Sequence, residues 1–406
     1  MKMNLTKIIT TALAILLLVS CWGIRTAAYA DDVFTETFSE RDLSGSYDGE
    51  PVLITLNGAG AQADSDKVQI SGSVVTVTGA GTFILTGTLD NGCVIVDAGK
   101  DDKVQLVLNG VSIHADSFAA IYVKQADKVF VTMKDGTVNA LSSGGFSRID
   151  ENEVDAVIFS KDDLTLNGSG TLQVVSPAGH GIVCKDELKI TGGVYAIQTA
   201  QCAVKAKDSI AVADGSLTLR AGSDGLHAEN GDDETLGNIL IAGGSFDIQA
   251  VDDAVHANTL LRIDGGSFEI TAAEGIEATY IQINDGSVRI SATDDGVNAA
   301  RKSSAYTPTV EINGGEIAIS MGPGDTDGVD SNGDLIIRGG TVSVTGNSCF
   351  DYDGTAAYTG GTVIVNGQQV DSIPNQIMGG RGGMMGSMGN RSGMMGSPGM
   401  RGGKGW

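Results

Sequence analysis

Acidic residues recur at one position of a repeated phrase, and this pattern could bind a divalent cation. The phrase reads acid, Gly or Ala, branched aliphatic, any residue, then a small residue, as in Asp224-Gly225-Leu226-His227-Ala228. Ca²⁺ accepts about six to eight oxygen ligands from carboxylates, amides and turn carbonyls, so a row of such positions predicts bound calcium. The acidic position is held by Asp224, Asp253, Glu274, Asp295 and Asp327, with further acids beside it at Asp252, Asp294 and Asp325.

The residue that follows each branched aliphatic is expected to point outward. Side chains alternate between the two faces of a strand, so core-facing aliphatic residues leave their successors on the surface. Like charges on neighbouring strands are destabilising, and stacked carboxylates therefore need a cation or raised pKa values. The alternative interpretation is a set of solvated turns, because Asp-Gly is a common turn dipeptide. The successors are His227, His256, Glu277, Asn298 and Asp330.

The elements that must position these residues are short strands and glycine-containing turns. Between the phrases, segments such as Ile241-Ala242-Gly243-Gly244-Ser245-Phe246-Asp247-Ile248 alternate apolar and polar residues, which indicates strands. A repeat of roughly 21 residues cannot bury its own apolar face and must stack on its neighbours. We therefore predict an all-β, right-handed parallel β-helix of about ten coils over residues 31–373. A β-propeller is disfavoured because each of its blades needs roughly 40 residues.

The two ends of the chain differ from this body. Residues 1–30 combine a basic start, an apolar run and the A-x-A site Ala28-Tyr29-Ala30, which predicts a cleaved signal peptide and secretion. The alternative is a lipoprotein anchored through Cys21, because Leu18-Val19-Ser20-Cys21 resembles a lipobox. Residues 374–406 are rich in Gly, Met and Arg, and such low complexity predicts a disordered tail.

Charge excludes one class of partner. All 50 acidic residues lie in the body, which contains 19 of the 26 basic residues. Nucleic-acid binding requires basic patches, so we expect no nucleic-acid partner. The mature chain has no apolar run of the ~18 residues that a membrane span needs, so we expect no transmembrane segment in it. We also expect the protein to be a monomer. Four cysteines remain in the body, and their spacing is not that of a metal site: Cys93, Cys184, Cys202 and Cys349. We expect them to be small buried residues, and the sequence leaves open whether any of them form disulfides.

The repeated phrase, together with intervening strands of the type I-x-G-G-x-[FV]-x-I, resembles the secreted bacterial family of carbohydrate-binding domain-containing proteins over residues ~35–370. The resemblance implies a right-handed parallel β-helix that binds Ca²⁺ and acidic plant polysaccharide such as polygalacturonate, with cellulose as a further ligand. It also implies a distant relationship to pectate lyases, and calcium ligands among positions 252–253, 274, 294–295 and 325–330.

The predicted site therefore has a metal part and a glycan part, and no residue in it is nominated as catalytic. The predicted glycan-contacting residues are His227, His256 and Tyr352. The predicted calcium ligands are Asp224, Asp252, Asp253, Glu274, Glu277, Asp294, Asp295, Asn298, Asp325, Asp327 and Asp330.

Two other functions stay open beside non-catalytic binding. A calcium-dependent lyase of the pectate-lyase type would need an Arg or Lys base, and Arg262, Arg289 and Arg338 lie within the acidic repeats. Gly179-His180-Gly181 resembles part of a polygalacturonase motif, but it precedes the acidic pairs and no R-I-K segment follows. A rigid structural or adhesive solenoid is the third candidate.

Overall fold

The computed structural model describes residues 34, 37–47, 49–146, 152–324 and 326–375. The regular secondary structure of these residues is β-strand, and no α-helix occurs among them. Most strands pair in parallel with a strand one repeat away, as Val204–Ala206 does with Leu226–Ala228. The prediction of an all-β chain with a solenoid-like parallel arrangement is confirmed, whereas the right-handed sense and the number of coils stay predictions.

The parallel pairings form three ladders, and we call the one that contains the repeated phrase ladder A. Two long strands, Asp253–Ile263 and Glu274–Ile283, continue from ladder A into the second ladder. The other strands of ladder A are Val74–Val77, Cys93–Asp97, Ile121–Gln125, Ala156–Ser160, His180–Cys184, Val204–Ala206, Leu226–Ala228, Val297–Ala299, Asp327–Ser331 and Ser348–Tyr352.

Ladders B and C form the other two faces. Near the beginning of the body, Val52–Gly58, Gly81–Leu89 and Lys103–Ala115 run through both. The remaining strands of ladder B are Lys128–Met133, Asp163–Gly168, Glu187–Ile190, Ser209–Val212, Asn238–Ile241, Thr309–Ile312, Asp334–Ile337 and Ala356–Tyr358. Those of ladder C are Val138–Ser143, Thr171–Ser176, Val194–Thr199, Ser216–Ala221, Ser245–Ala250, Ser267–Ala272, Ser287–Ala292, Glu316–Met321, Thr341–Thr345 and Thr362–Val365.

Antiparallel pairs lie at both ends of the parallel stack. Ala61–Ala63 pairs with Val52–Gly58, and Val68–Ser71 pairs with Val74–Val77. At the other end, Gln368–Val370 pairs with Thr362–Val365. An exposed parallel edge is a template for association with another chain, and these short hairpins cover part of that edge.

The branched aliphatic residues of the phrase fill the interior. Leu226, Val255, Ile276, Val297 and Val329 are partners in successive strands of ladder A and are fully buried in one hydrophobic core. Burying such a side chain contributes roughly 1.5–3 kcal/mol, so each coil is stabilised by its neighbours. The inward orientation predicted for these residues is confirmed, and their successors therefore face outward.

The glycine of the phrase allows adjacent coils to approach closely. A Cβ atom at Gly275 would lie 2.3 Å from the carbonyl oxygen of Gly296, and one at Gly296 would lie 2.4 Å from that of Gly328. Both distances are far below van der Waals contact. A side chain at either position would push the next coil away.

Two insertions between ladders A and B interrupt the regular repeat. Residues 229–237 and 300–308 each follow a phrase and lengthen its coil. They contact each other, because Ser303 Oγ donates to the carbonyl oxygen of Glu234 at 2.6 Å and the Ser304 N–H donates to the Glu234 carboxylate at 3.0 Å. The paired insertions lie beside the phrase strands of two intermediate coils.

A strap formed by residues 37–47 crosses the outer face of ladder B. Its Asp42 side chain is 1% exposed and accepts a hydrogen bond from Thr165 Oγ1 at 2.8 Å. Lys128 Nζ lies 2.8 Å and Lys189 Nζ lies 3.8 Å from the same carboxylate. Burial raises the pKa of Asp42, but its hydrogen bonds to Lys128, Ser39 and Thr165 outweigh burial and hold that pKa well below its usual range.

The predictions for the cysteines and for membrane spans can be compared with the described residues. Cys93, Cys184, Cys202 and Cys349 are buried, as expected of small core residues. No helix in the described ranges is long and apolar enough to cross a membrane. The predicted signal segment 1–30, including Cys21, and the tail beyond residue 375 lie outside the described residues.

Candidate cation and ligand site

The outward residues of the phrase form one continuous row along ladder A, which we call the outer row. Register partners lead from His227 to His256, Glu277, Asn298 and Asp330, one residue from each coil. The predicted alignment of these five side chains is confirmed. The row extends at either end to two residues that were not predicted, Lys205 and Asp351.

The acids that precede the phrase glycines stack in a second, parallel row, which we call the turn row. The Asp253 N–H donates to Asp224 Oδ1 at 3.1 Å, and the Asp327 N–H donates to Asp295 Oδ1 at 3.0 Å. Glu274 is the register partner of Asp253. The turn row therefore binds neighbouring coils through its own carboxylates, and its remaining oxygens face the outer row.

The doubled acids lie at the margin of the turn row. Asp252 and Asp294 are exposed, while a carboxylate oxygen of Asp252 lies within 4.8 Å of oxygens of Asp224 and Asp253. Asp294 is close enough to Asp295 to raise the pKa of that carboxyl. Asp325, the third predicted doubled acid, lies outside the described residues.

The first half of the outer row is cationic. The rings of His227 and His256 stack with their centroids 4.7 Å apart. His227 Nδ1 donates to Asp224 Oδ2 at 2.6 Å, and His256 Nδ1 donates to Asp253 Oδ2 at 2.6 Å. The outer Nε2 of His227 lies 3.1 Å from Glu229 Oε2. Each histidine is thus held by the acid three residues before it.

His256 is the more strongly bound of the two histidines. Its Nδ1 also lies 2.9 Å from Glu277 Oε2. Burial disfavours the charged imidazole, but the hydrogen bonds to Asp253 and Glu277 outweigh it and raise the pKa of His256 to about 10. Lys302, from the second insertion, places Nζ 2.8 Å from Glu277 Oε1. Burial raises the pKa of Glu277, but His256 and Lys302 together lower it.

The second half of the outer row is anionic. Burial, followed by repulsion from Asp295, Asp327, Asp351 and Asp353, raises the pKa of Asp330 to about 7. Burial is also the first cause at Asp295, whose pKa rises to about 6 with Asp294 and Asp327 nearby. Burial and like charges therefore both disfavour the ionised form of these carboxylates.

Asn298 and Glu274 lie where the two halves meet. Asn298 Nδ2 donates to Glu274 Oε2 at 3.0 Å, while Asn298 Oδ1 is buried without a hydrogen-bond partner. Asn298 as a whole is 8% exposed. Burial and the nearby Glu277 raise the pKa of Glu274 to about 8 despite the bond from Asn298. A buried acceptor without a donor beside several carboxylates suits a bound cation.

Tyr352 is not brought to the outer row. Its register partner is the inward Ser331, and its ring packs against the hydrophobic core near the last coils. The outward position in that strand belongs to Asp351. Because a strand reverses its side-chain direction at every residue, the neighbour of a surface residue faces the core.

The basic residues considered for a lyase lie on other faces. Arg262 is in the ladder B part of its strand and donates to Asp264 Oδ1 at 2.8 Å, and Arg338 follows a ladder B strand and pairs with Glu311. Arg289 is on ladder C, with Nη1 3.4 Å from Glu269. His180 accepts a hydrogen bond from the Cys202 N–H at 3.1 Å. None of the three arginines shares a ladder with the acids of the phrase.

Sequence reasoning missed three charged residues of the site. Lys205 and Asp351 are the register partners of His227 and Asp330, so alignment of residues 202–206 and 348–352 with the phrase could have found them. Lys302 lies in an insertion that has no equivalent in the other repeats. The spacing of the repeats therefore could not have predicted the contact between Lys302 and Glu277.

Comparison with known proteins adds three findings. A family model of carbohydrate-binding domain-containing proteins matches residues 71–326. A carbohydrate-binding domain-containing protein of Acetivibrio thermocellus is 37% identical over 131 residues, covering 32% of this chain and 46% of the relative. The matched part is thus less than half of that relative's length. A solved polysaccharide lyase-like protein from C. thermocellum, a gadolinium derivative, superposes with a TM-score of 0.52 at 27% identity, covering 68% of this chain and 98% of that chain.

Proposed function

The chain belongs to the family of carbohydrate-binding domain-containing proteins, and we propose that it is a secreted, non-catalytic protein that binds acidic polysaccharide through calcium. The observation that carries this proposal is the anionic half of the outer row, where the half-buried Asp330 is repelled by four other acids and is the register partner of Asn298, whose buried amide oxygen has no hydrogen-bond partner. A divalent cation would stabilise such a cluster because its positive charge balances the negative charge of the carboxylates.

Calcium fits the donors of this cluster best. Asp295, Asn298, Asp327, Asp330 and Asp351 offer carboxylate and amide oxygens, and Ca²⁺ takes such oxygen ligands in flexible geometry. The acids near His256 are less suited to calcium, because the third donor of that group is an imidazole nitrogen rather than an oxygen.

An acidic sugar polymer is the ligand that this surface would favour. A uronate carboxylate can complete the coordination of a protein-bound calcium ion, which an uncharged sugar does less well. Lys205, whose side chain is 30% exposed at the end of the same row, offers a direct hydrogen bond to a further carboxylate. Polygalacturonate has this chemistry, and we propose it as the ligand, with cellulose as a weaker one.

A titration of oligogalacturonate by isothermal calorimetry tests the proposal, with Ca²⁺ or with chelator present. We expect saturable binding with Ca²⁺, no binding in chelator, and at least about tenfold weaker binding in Asp330→Asn, because truncating a paired charge costs about 2 kcal/mol or more. Glu316→Gln is the matched control, since Glu316 is exposed on ladder C in the coil next to Asp330. Binding that is equal in chelator would contradict the calcium-dependent function.

The lyase is the second candidate, because the related solved structure is described as polysaccharide lyase-like. Lys302 is bonded to the outer row through Glu277, and Lys205 lies in the row itself with Nζ 3.6 Å from Glu229 Oε2. Burial lowers the pKa of Lys302, but Glu277 raises it above its usual value, so its amine stays protonated and is unsuited to proton abstraction. An assay with Ca²⁺ present would detect unsaturated uronate by its ultraviolet absorbance. Formation of that product would establish the lyase function instead.

A further inference from the structure

A second set of metal-ligating atoms lies where the turn row meets the cationic half of the outer row. Asp253, His256 and Glu277 each offer one donor atom, and these atoms all lie within 4.8 Å of one another. The three residues are 6%, 8% and 4% exposed. From this geometry we infer that Asp253, His256 and Glu277 form a binding site for a transition metal ion of the Zn²⁺ type, separate from the calcium cluster.

The donor types distinguish this site from the calcium cluster. Calcium binds oxygen ligands, whereas one imidazole nitrogen with two carboxylates is a donor set that Zn²⁺ and its first-row neighbours accept. Three protein ligands leave one position of a tetrahedral ion for water or for a sugar hydroxyl. The site therefore suits an exchangeable metal ion rather than a fully enclosed structural one.

The distances between the donor atoms would allow a metal ion to bind after small movements of the three side chains. His256 Nδ1 lies 2.6 Å from Asp253 Oδ2 and 2.9 Å from Glu277 Oε2. A tetrahedral ion with bonds of about 2.0–2.1 Å separates its ligand atoms by roughly 3.3 Å. The donors would have to move apart by less than about 1 Å. Binding replaces the hydrogen bonds from Nδ1 and releases the Nδ1 proton to solvent.

The surrounding contacts orient the ligands. His256 Nε2 lies 3.4 Å from Asn258 Oδ1, and the ring stacks on His227. Lys302 holds the other carboxylate oxygen of Glu277. Such outer contacts fix the orientation of metal-ligating side chains. The group formed one coil earlier by Cys202, Asp224 and His227 has a different donor set, with a thiol in place of one carboxylate.

Titration of the full chain with Zn²⁺ by isothermal calorimetry tests the inference, in buffer with excess Ca²⁺ so that the calcium cluster is filled. We expect one saturable site and proton release, seen as a heat that changes with the ionisation enthalpy of the buffer. His256→Gln should weaken Zn²⁺ binding more than about tenfold. His114→Gln is the control, because His114 is bonded to Ser142 and Asp116 away from this site.

A spectroscopic measurement on the unmodified protein covers the case in which His256→Gln fails to fold. X-ray absorption of the zinc complex should show one imidazole with oxygen ligands at about 2.0–2.1 Å. Absence of saturable Zn²⁺ binding, or a complex without an imidazole ligand, would overturn the inference. Neither result bears on calcium-dependent glycan binding, which is measured with Ca²⁺ and oligogalacturonate.

Discussion

The imidazole rings of His227 and His256 stack at 4.7 Å with only 9° between their planes, although they are 29 positions apart in the chain. Each ring is bonded to the acid three residues before it, so the same Asp-x-x-His unit is repeated in two successive coils. The repeat places identical chemistry one coil apart. Beyond His256 the outer row changes from cationic to anionic, and this change separates the two proposed sites.

Replacement of His256 should destabilise the protein strongly. His256→Ala leaves the buried Asp253 carboxylate without its cationic partner, and breaking such a buried pair costs about 3–5 kcal/mol. Because Lys302 still compensates Glu277, we expect a loss near the lower value. The measurement is the thermal midpoint by circular dichroism, with His114→Ala as the control. Equal midpoints for the two variants would contradict a structural role for the Asp253–His256 pair.

Calcium-free protein should lose stability as the pH rises from about 5 to 8. The raised pKa values of Asp295, Asp330 and Glu274, about 6, 7 and 8, mean that the folded state binds protons more tightly than the unfolded chain. This stabilisation is present at low pH and is lost as the pH rises through those values. Added Ca²⁺ should raise the thermal midpoint at pH 8 and have little effect at pH 5. A calcium effect independent of pH would argue against binding at these carboxylates.

Replacement of Asp42 should release the strap 37–47 from ladder B. Asp42→Asn removes the charge that compensates Lys128, whose side chain is 11% exposed, and we expect a loss of about 3 kcal/mol. Faster cleavage of the strap in limited proteolysis would accompany the lower unfolding midpoint in urea. Glu40→Gln serves as the control, since Glu40 is an exposed acid of the same segment. An unaltered cleavage rate for Asp42→Asn would show that this ion pair does not hold the strap.

A methyl group at the phrase glycine should separate two coils. Gly275→Ala brings Cβ to 2.3 Å from the Gly296 carbonyl oxygen, and relief of such a clash costs about 1–3 kcal/mol or more. Gly231→Ala, in the first insertion, meets no atom within 4 Å and should be neutral. Urea unfolding of the two variants provides the comparison. If both were equally stable, close coil packing at Gly275 would not be required.

Much of the fold follows from local patterns in the sequence. The phrase and its spacing predict parallel strands, the inward row from Leu226 to Val329 and the outward row from His227 to Asp330. These predictions need only side-chain alternation and the requirement that each apolar face be covered by the next repeat. Tyr352 lies off the outer row for the same reason, because the repeat places Asp351 in the outward position and turns Tyr352 toward the core.

The division of the acidic residues into two environments was decided by the tertiary structure. The sequence assigns Asp253, Glu277 and Asp330 to one calcium site, since all three belong to the same repeated phrase. In the folded chain His256 and Lys302 compensate the first two, whereas Asp330 faces further carboxylates. Lys302 reaches Glu277 because the insertion 300–308 folds back over the preceding coil. Repetition in the sequence thus determines which residues stack, but charge compensation depends on contacts with segments that do not repeat.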